Sequence, residues 1–377
     1  MEKQHLTYFK IENFKRFDSF EMSNLGQFNL IVGDNNVGKT SVLEGLLYGA
    51  NRFVENGTYD FIKNLYEAYL YRGGMLPRID RSLPLNQVEV FLYNFWKFTL
   101  KEFYKPLTFF YSLIDGYEYK TTFEIIENLN SEDKEYINQY SHIEFQPESK
   151  YWLRATVAGN YEGTYGRYFE NAILRWNDYG RKKSLVSIRQ GYSDGLVTLY
   201  YQVINTSKKL EEMFIATMGS IIPNLEQIRV HQFNYEQDVL AVRLKNDDGT
   251  YPLTRFGEGT VKLCRLLLYI VANKKGRVLV DEIETGIHFT RLIEFWKNIL
   301  LMCSGQEVQL FATTHSLECQ QAFIEALQDD DMKQFQEEAR NISMIENKKG
   351  ELKAITYNYS QFEYAMNIGF NTRGGKI

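Results

Sequence analysis

The chain has 377 residues, of which 44% are hydrophobic and 24% are charged, a composition typical of globular proteins. At roughly 100–200 residues per domain, this length predicts two or more structural lobes. The formal net charge of −5 excludes an overall positive field, so composition alone does not indicate nucleic acid or an anionic membrane as a partner. Short basic runs lie at 181–183 and 274–277, and contact with nucleic acid through them stays open.

The first fifty residues alternate between strand and helix patterns. "LTYFKIENFKRF" alternates in the manner of a half-buried strand, and "QFNLIVG" is a short apolar run that ends at Gly33. Val42, Leu43, Leu46 and Leu47 then recur with helical spacing. We therefore expect a strand, a loop and a helix in this order.

Residues 51–207 differ from what precedes and follows them. They are dense in aromatic side chains, as in "FLYNFWKFTLKEFYKPLTFFYSLI", and strand-like patches such as "YWLRATVAG" and "LVSIRQG" come later. We interpret 51–207 as an inserted, largely helical and aromatic-rich lobe between the two parts, 1–50 and 208–377, of one domain. Most of its aromatic side chains are expected in the core, and a protein interface or a base-stacking surface is the alternative.

Regular patterns return after residue 207. "KKLEEMFIATMGSIIPNLEQIRV" predicts a helix stopped by Pro223 and then a strand, and "VLAVRLKNDDGTYPL" predicts a hairpin that turns at Asp248 and Gly249. A helix is expected after "RFGEGTVK", and "RVLVDEIE" and "EVQLFATTHS" each contain a short buried strand. Strands that alternate with helices predict the α/β class with a mixed, largely parallel sheet.

Three unevenly spaced cysteines, Cys264, Cys303 and Cys319, indicate a reducing compartment and argue against disulfides or a structural zinc site. The polar start "MEKQHLTYFK" lacks the apolar stretch of a secretory signal, and no run of 18 apolar residues is present. We expect a cytoplasmic protein that does not contact the membrane.

The stretch "GDNNVGKT" fits the pattern G-x-x-x-x-G-K-[ST] and lies between a predicted strand and a predicted helix. Backbone N–H groups of such a loop, at the positive end of the following helix, cradle phosphates. Lys39 is predicted to neutralise the β- and γ-phosphates, and Thr40 to give its hydroxyl to Mg²⁺, so the predicted cofactors are ATP and Mg²⁺. The expected nucleotide-binding residues of this loop are Gly33, Asp34, Asn35, Asn36, Val37, Gly38, Lys39, Thr40 and Ser41.

Two acidic residues follow the buried strand predicted in "VLVDEIE". Asp281 would lie at the sheet edge next to the loop, so Thr40 and Asp281 are the predicted metal-binding residues. Glu282 points differently along the pleat and is expected to orient the attacking water as general base. His315 ends another predicted core strand, from which it could donate to a γ-phosphate. Glu282 and His315 are therefore the candidate catalytic residues.

The order of these motifs resembles the ABC-type ATPases of the SMC/RecF/OLD branch. It consists of an "NFKRF" strand, the phosphate-binding loop, a long insertion, a glycine-rich helix start, "DE" and "TTHS". The resemblance covers roughly Leu6–Ala50 and Ile228–Ser316 and leaves the insertion uncovered. It implies an ABC-type P-loop ATPase head that hydrolyses ATP to ADP and phosphate.

In that family a signature motif of one subunit caps the γ-phosphate bound to the P-loop of another, and "FGEGT" aligns with this motif. The resemblance therefore implies that Gly257, Glu258 and Gly259 face ATP held by a second molecule, in a homodimer or a higher homo-oligomer. Gly257 stands where the family usually has serine, so only backbone donors remain there. His288 stands where transport ATPases carry Asp, and Gln87 is a candidate for the family's Q-loop glutamine.

Two features of related proteins are missing from this sequence. It has no long heptad arms of the kind that Rad50-like and SMC proteins carry. The residues after His315 are also too few for the Toprim nuclease domain of OLD nucleases. We therefore expect any nuclease to be a separate polypeptide.

Similar stand-alone AAA-family ATPases are typical of prokaryotic antiphage modules such as Septu and PARIS. There the ATPase scaffolds or restrains a separate nuclease or toxin, so the resemblance implies a sensor or scaffold that controls such an effector in antiviral defence. Two alternatives stay open, a RecF-like ATPase of DNA repair and recombination, and an ATP-dependent regulator that acts on proteins alone.

Overall fold

The computed structural model describes residues 5–47, 96–126, 130–132, 134–135, 152–159, 166–171, 185–186, 195–204, 207–234 and 237–369. The strands of these residues are β1 (Leu6–Phe14), β2 (Phe17–Ser23), β3 (Phe28–Val32), β4 (Leu107–Leu113), β5 (Glu118–Ile126), β6 (Trp152–Gly159), β7 (Gly166–Asn171), β8 (Leu185–Val186), β9 (Leu225–Asn234), β10 (Gln237–Leu244), β11 (Thr250–Pro252), β12 (Arg277–Val280), β13 (Gln309–Thr314), β14 (Ala339–Glu346) and β15 (Leu352–Asn358). The α-helices are α1 (Lys39–Leu46), α2 (Leu196–Val203), α3 (Lys208–Gly219), α4 (Glu258–Ala272), α5 (Leu292–Gly305), α6 (Leu317–Gln328) and α7 (Tyr359–Asn367).

A mostly parallel sheet with the strand order β15-β14-β3-β13-β12-β8 holds the predicted motifs. Strands β14, β3, β13, β12 and β8 run parallel to one another, and β15 pairs antiparallel with β14. The carboxyl ends of parallel strands meet at one edge of a sheet, which is where open α/β sheets bind ligands. The predicted α/β class with a mixed sheet is confirmed.

Both faces of this sheet are covered, and β3 is buried along its whole length. Phe28, Leu30 and Val32 pack into a core with α4, α5 and α6, whereas Ile31 points to the other face and packs with α1. A strand that is buried on two faces reads as a continuous apolar run, which explains the "FNLIV" pattern.

A second, antiparallel sheet has the strand order β2-β1-β4-β5-β6-β7 and covers the α1 face. The described residues of 51–207 include strands β4 to β8 and helix α2, and most of this range lies outside the described residues. The interpretation of 51–207 as a largely helical insertion therefore stays a prediction. Residues 107–113 pair directly with β1. Alternation explains this pairing, since Leu107, Phe109, Tyr111 and Leu113 all point into the core.

The end of the predicted insertion belongs to the central sheet and its core. Strand β8 pairs with β12, and Leu196, Tyr200 and Val203 of α2 pack into the core that contains α4. Burial of one face of α2 against that core places 196–203 with the residues after 207 rather than in a separate lobe. Residues 48–95 lie outside the described residues, and the predicted lobe stays a prediction there.

The hairpin predicted around Asp248 and Gly249 is present, with β10 pairing antiparallel with β9 and β11. The helix predicted after "RFGEGTVK" is α4, and it is buried from Thr260 to Ala272 because it is apolar nearly all round. Among the described helices, none combines the length and the apolar character that crossing a membrane requires.

Candidate functional site

Three neighbouring strands end at the same edge of the central sheet and carry the predicted site. Gly33 follows β3, Asp281 follows β12, and His315 follows β13. The sequence placed Asp281 directly beside the phosphate-binding loop, but β13 lies between β3 and β12 in the sheet. The intervening strand therefore contributes its own last residues to the site.

The loop at Gly33–Lys39 has a backbone that requires glycine. Gly38 precedes α1 with a φ of 96°, and a Cβ at this position would lie 2.9 Å from the Phe17 ring. A Cβ at Gly33 would lie 2.8 Å from a methyl group of Val37. The first N–H groups of α1 have no acceptor within the helix, so they are available to phosphate oxygens.

The remaining loop residues divide by exposure. Asp34, Asn35 and Asn36 are exposed, whereas Val37 and Ser41 are buried. Thus the turn between β3 and α1 presents its polar residues to solvent and anchors itself through an apolar one.

Lys39 lies half-buried with its ammonium inside the loop. Its Nζ atom donates hydrogen bonds of 2.7 Å to the Gly33 carbonyl and 2.9 Å to the Asp34 carbonyl. Burial lowers the pKa of Lys39, and nearby carboxylates, above all that of Asp281, act in the opposite direction. The positive charge is therefore held where the loop would enclose a phosphate group.

Asp281 is fixed by two threonine hydroxyls. Thr40 of α1 donates to its Oδ2 atom at 2.9 Å, and Thr313 of β13 donates to its Oδ1 atom at 2.6 Å. These contacts join α1 to the ends of β12 and β13 through one carboxylate. Thr313 was missed by the sequence analysis, and its place in "ATTHS" at the end of a buried strand is the signal that could have found it.

The donor set at this point suits Mg²⁺. In the part of the chain that the structure describes, no cluster of three or more His, Cys, Asp or Glu side chains could hold a metal by itself. Mg²⁺ in nucleotide sites is instead bound by one or two protein groups together with substrate phosphates and water. The Thr40 hydroxyl and the Asp281 carboxylate, which are hydrogen-bonded to each other, provide such a pair.

Glu282 occupies the left-handed region with a φ of 47°, which is unfavourable for a residue other than glycine. Hydrogen bonds hold both its backbone N–H group and its backbone carbonyl. The N–H group donates to the Thr313 hydroxyl at 2.9 Å, and the carbonyl accepts from the Lys262 ammonium at 2.9 Å. Thr285 donates to the carboxylate at 3.3 Å. Non-glycine residues in this conformation persist where the surroundings enforce them, and they cluster at functional sites.

His315 lies at the same edge with a partner that the sequence analysis missed. Its Nδ1 atom is 3.4 Å from Oε1 of Glu284, and its backbone N–H donates to the same oxygen at 3.3 Å. The His315 side chain is 48% exposed, so its ring faces solvent at the edge of the sheet. The Oε2 atom of Glu284 is buried and has no hydrogen-bond partner among the described residues.

The structure of the chain itself explains why both positions 257 and 259 of "FGEGT" are glycine. Gly257 has φ 92° and ψ 158°, a backbone region open essentially to glycine alone. A Cβ at Gly259 would lie 2.8 Å from the Gly286 carbonyl oxygen. Glu258, between them, is exposed at the first turn of α4. Close approach of a second molecule is therefore not needed to explain the glycines, and that role stays a prediction.

Arg16 is a further residue at the loop that the sequence analysis did not single out. Its guanidinium donates to the Asn36 carbonyl and lies 3.6 Å from a Glu346 carboxylate oxygen. Arg16 lies in "NFKRF", one of the motifs on which the family resemblance rests, and this position is the sequence signal that could have identified it. It adds a second cation, besides Lys39, that contacts the phosphate-binding loop.

One of the two basic runs does not form a free cationic surface. Arg277 is buried in β12, and Lys275 lies 3.7 Å from a Glu307 carboxylate oxygen. The other run, 181–183, and the Q-loop candidate Gln87 lie outside the described residues.

A Helicobacter pylori protein named "ATP/GTP phosphatase" is 23% identical to this chain over 343 residues, which cover 84% of this chain and 86% of the relative. A solved SMC head bound to the C-winged helix domain of ScpA is 12% identical with a TM-score of 0.46, covering 96% of this chain and 99% of the other. The SMC head domain from Thermotoga maritima is 12% identical with a TM-score of 0.39, covering 95% and 100%. A family model described as "AAA domain, putative AbiEii toxin, Type IV TA system" matches residues 28–318, more than half of the chain. The chain therefore belongs to this AAA-domain family of P-loop ATPases.

Proposed function

We propose that the chain binds Mg·ATP at the edge of the central sheet and hydrolyses it to ADP and phosphate. The observation that carries the proposal is the Asp281 carboxylate, which accepts hydrogen bonds from Thr40 of the phosphate-binding loop and from Thr313. One carboxylate thereby connects the loop that would hold the phosphates with the residues that would act on them. The name of the Helicobacter pylori relative, ATP/GTP phosphatase, supports the same reaction class.

Each residue has a defined part in the proposed reaction. The N–H groups at the start of α1 and the Lys39 ammonium bind the β- and γ-phosphates. Thr40 and Asp281 hold Mg²⁺, which supplies charge stabilisation at the phosphate oxygens. The Glu282 carboxylate accepts the proton of the water that attacks the γ-phosphorus, and the bond from that phosphorus to the bridging oxygen of ADP breaks. His315, held at Glu284, donates to the γ-phosphate.

We further propose that two copies share each ATP, with Gly257, Glu258 and Gly259 of one copy facing the phosphates held by the other. Exposure of Glu258 and the glycine-only backbone at Gly257 support this, because they leave the N–H groups at the start of α4 open to a ligand. The resulting assembly is a homodimer or a higher homo-oligomer.

The proposed biological role is control of a separate nuclease or toxin in antiviral defence. The words "putative AbiEii toxin" and "Type IV TA system" in the family description are compatible with this role. The identity of the neighbouring gene is its first test. A nuclease or toxin gene next to this one supports the proposal, whereas a replication or repair gene contradicts it.

Phosphate release from ATP and from GTP tests the proposed activity. The purified chain should release phosphate only when Mg²⁺ is added, and EDTA should stop the release. A rate equal to that of uncatalysed hydrolysis with both nucleotides would overturn the proposal.

A further inference from the structure

Lys262 is a charged residue in the second turn of helix α4, which is otherwise mostly apolar. Its side chain is only 1% exposed. The Nζ atom donates hydrogen bonds of 2.9 Å to the Glu282 carbonyl and 2.7 Å to the Thr285 carbonyl. Both acceptors belong to the segment that follows Asp281, so α4 is tied through this ammonium to the proposed catalytic residues.

Burial of a lysine is costly unless its charge is compensated. Here burial lowers the pKa of Lys262 to about 8, and the carboxylate of Glu284 is the largest opposing influence. An apolar side chain would suit the rest of α4 without this cost. The cost therefore needs a reason other than packing.

The geometry around Glu282 provides such a reason. Its strained backbone, with φ 47°, is fixed by Thr313 at the N–H group, and at the carbonyl by Lys262 together with the Thr285 backbone N–H. The first turn of α4 also touches the same segment, because Gly259 packs closely on the Gly286 carbonyl. The start of α4 and residues 282–287 are thus joined at two points.

We infer that Lys262 is a positioning residue that ties the first turns of α4 to the catalytic glutamate, Glu282, of the same chain. The inference rests on the proposed function. In the proposed dimer, the start of α4 serves the ATP of the partner copy, whereas Glu282 serves the ATP of its own copy. Lys262 thereby couples the two ATP sites. When the start of α4 contacts the ATP of the partner copy, the position of the general base Glu282 at the other ATP changes with it.

The test compares Lys262→Met, which keeps the length of the stem and removes the ammonium, with Lys274→Met at an exposed lysine beyond α4. ATP affinity should be unchanged in both variants, because the phosphate-binding loop is untouched. The kcat of Lys262→Met should fall by roughly 100-fold, as expected for a displaced catalytic group. Coupling of the two sites should give the unsubstituted chain a Hill coefficient for ATP above one, and Lys262→Met should lower it to one. A kcat and a Hill coefficient equal to those of Lys274→Met would overturn the inference.

A double variant separates positioning from a general structural role. If Lys262 acts through Glu282, adding Lys262→Met to Glu282→Gln should lower kcat no further than Glu282→Gln alone. An additional loss equal to that of the single Lys262→Met variant would contradict the inference. If Glu282→Gln hydrolyses ATP at the wild-type rate, the proposed function itself fails. If Glu282→Gln lowers kcat strongly and Lys262→Met does not lower it, only the coupling is contradicted.

Hydrogen exchange of the unsubstituted chain gives a test that does not depend on folding of a variant. Mg·ATP should change the protection of peptides from 257–264 and from 282–287 together, because the ammonium joins them. A change confined to one of the two segments would contradict the coupling.

Discussion

The hydroxyl of Thr40 donates a hydrogen bond of 2.9 Å to Oδ2 of Asp281, although 241 positions separate the two residues in the sequence. The other oxygen of this carboxylate accepts from Thr313 at 2.6 Å. A carboxylate fixed at both oxygens needs little reorganisation when a ligand arrives, which is the condition under which electrostatic stabilisation is most effective.

Removal of the charge at Asp281 should weaken the use of Mg²⁺. Asp281→Asn keeps the shape of the side chain but lacks the anion, so the Mg²⁺ concentration at half-maximal hydrolysis should rise roughly 10- to 100-fold. Titration of phosphate release with Mg²⁺ measures this shift. Asp248→Asn, in an exposed turn, is the matched control and should behave as wild type. An unchanged Mg²⁺ dependence in Asp281→Asn would exclude Asp281 from the metal site.

Loss of the Lys39 ammonium should abolish tight nucleotide binding while the fold survives. Lys39→Ala removes charge-assisted contacts worth about 1.5–3 kcal/mol, or roughly 10- to 150-fold in affinity. Titration calorimetry with ATP measures the loss, and Lys349→Ala, at an exposed turn, is the control. Wild-type affinity in Lys39→Ala would show that the loop does not bind the phosphates.

The sequence was sufficient for the parts of the site that short motifs encode. The loop pattern and the apolar run before Asp281 predicted β3, α1 and β12, because glycine spacing and continuous hydrophobicity are local properties. It was not sufficient for Thr313 and Lys262, whose contacts depend on which strand lies between β3 and β12 and on how α4 packs. A single lysine inside "VKLCRLLLYIVA" was the only local signal for Lys262.

The aromatic-rich range shows where periodicity failed. The segment "LTFFYSL" supports both a helical and an alternating pattern, and pairing with β1 decides for the strand. Such pairing joins residues about a hundred positions apart, so no local window contains it.

Glycine at position 38 should be needed for both stability and nucleotide binding. Gly38 has a φ of 96°, and an added Cβ would lie 2.9 Å from the Phe17 ring, so Gly38→Ala should cost roughly 1–3 kcal/mol and lower ATP affinity. Gly116→Ala is the matched control, because Gly116 has φ 84° with nothing within 4 Å of its Cβ position. Thermal unfolding and calorimetry on both variants separate the effects. Gly116→Ala should lose stability only, and normal ATP affinity in Gly38→Ala would contradict the proposed role of the loop.

Subunit sharing of ATP can be tested at Glu258, which avoids the backbone limits of Gly257 and Gly259. Glu258→Trp should block the start of α4 to a partner's phosphates and stop hydrolysis, while ATP affinity at the loop of the same chain is retained. Glu212→Trp, at an exposed position of α3, is the control.

Mixing the two inactive variants makes the test specific. Lys39→Ala and Glu258→Trp each contain only defective shared sites, but a mixed dimer has one site with both defects and one with neither. Partial recovery of ATP hydrolysis on mixing is expected. Mixtures that stay inactive although subunits exchange, or full activity of Glu258→Trp alone, would contradict shared sites.

The most direct test of the central claim, that Glu282 is the base of an ATPase site built on Lys39 and Asp281, is a single-turnover measurement with Glu282→Gln. The amide keeps the size of the side chain but cannot accept the proton of the attacking water. Radiolabelled ATP should therefore bind to Glu282→Gln with wild-type affinity and be recovered largely uncleaved within the time in which the control Glu226→Gln, at an exposed strand position, converts it to ADP. Conversion of bound ATP by Glu282→Gln at the wild-type rate would contradict the claim.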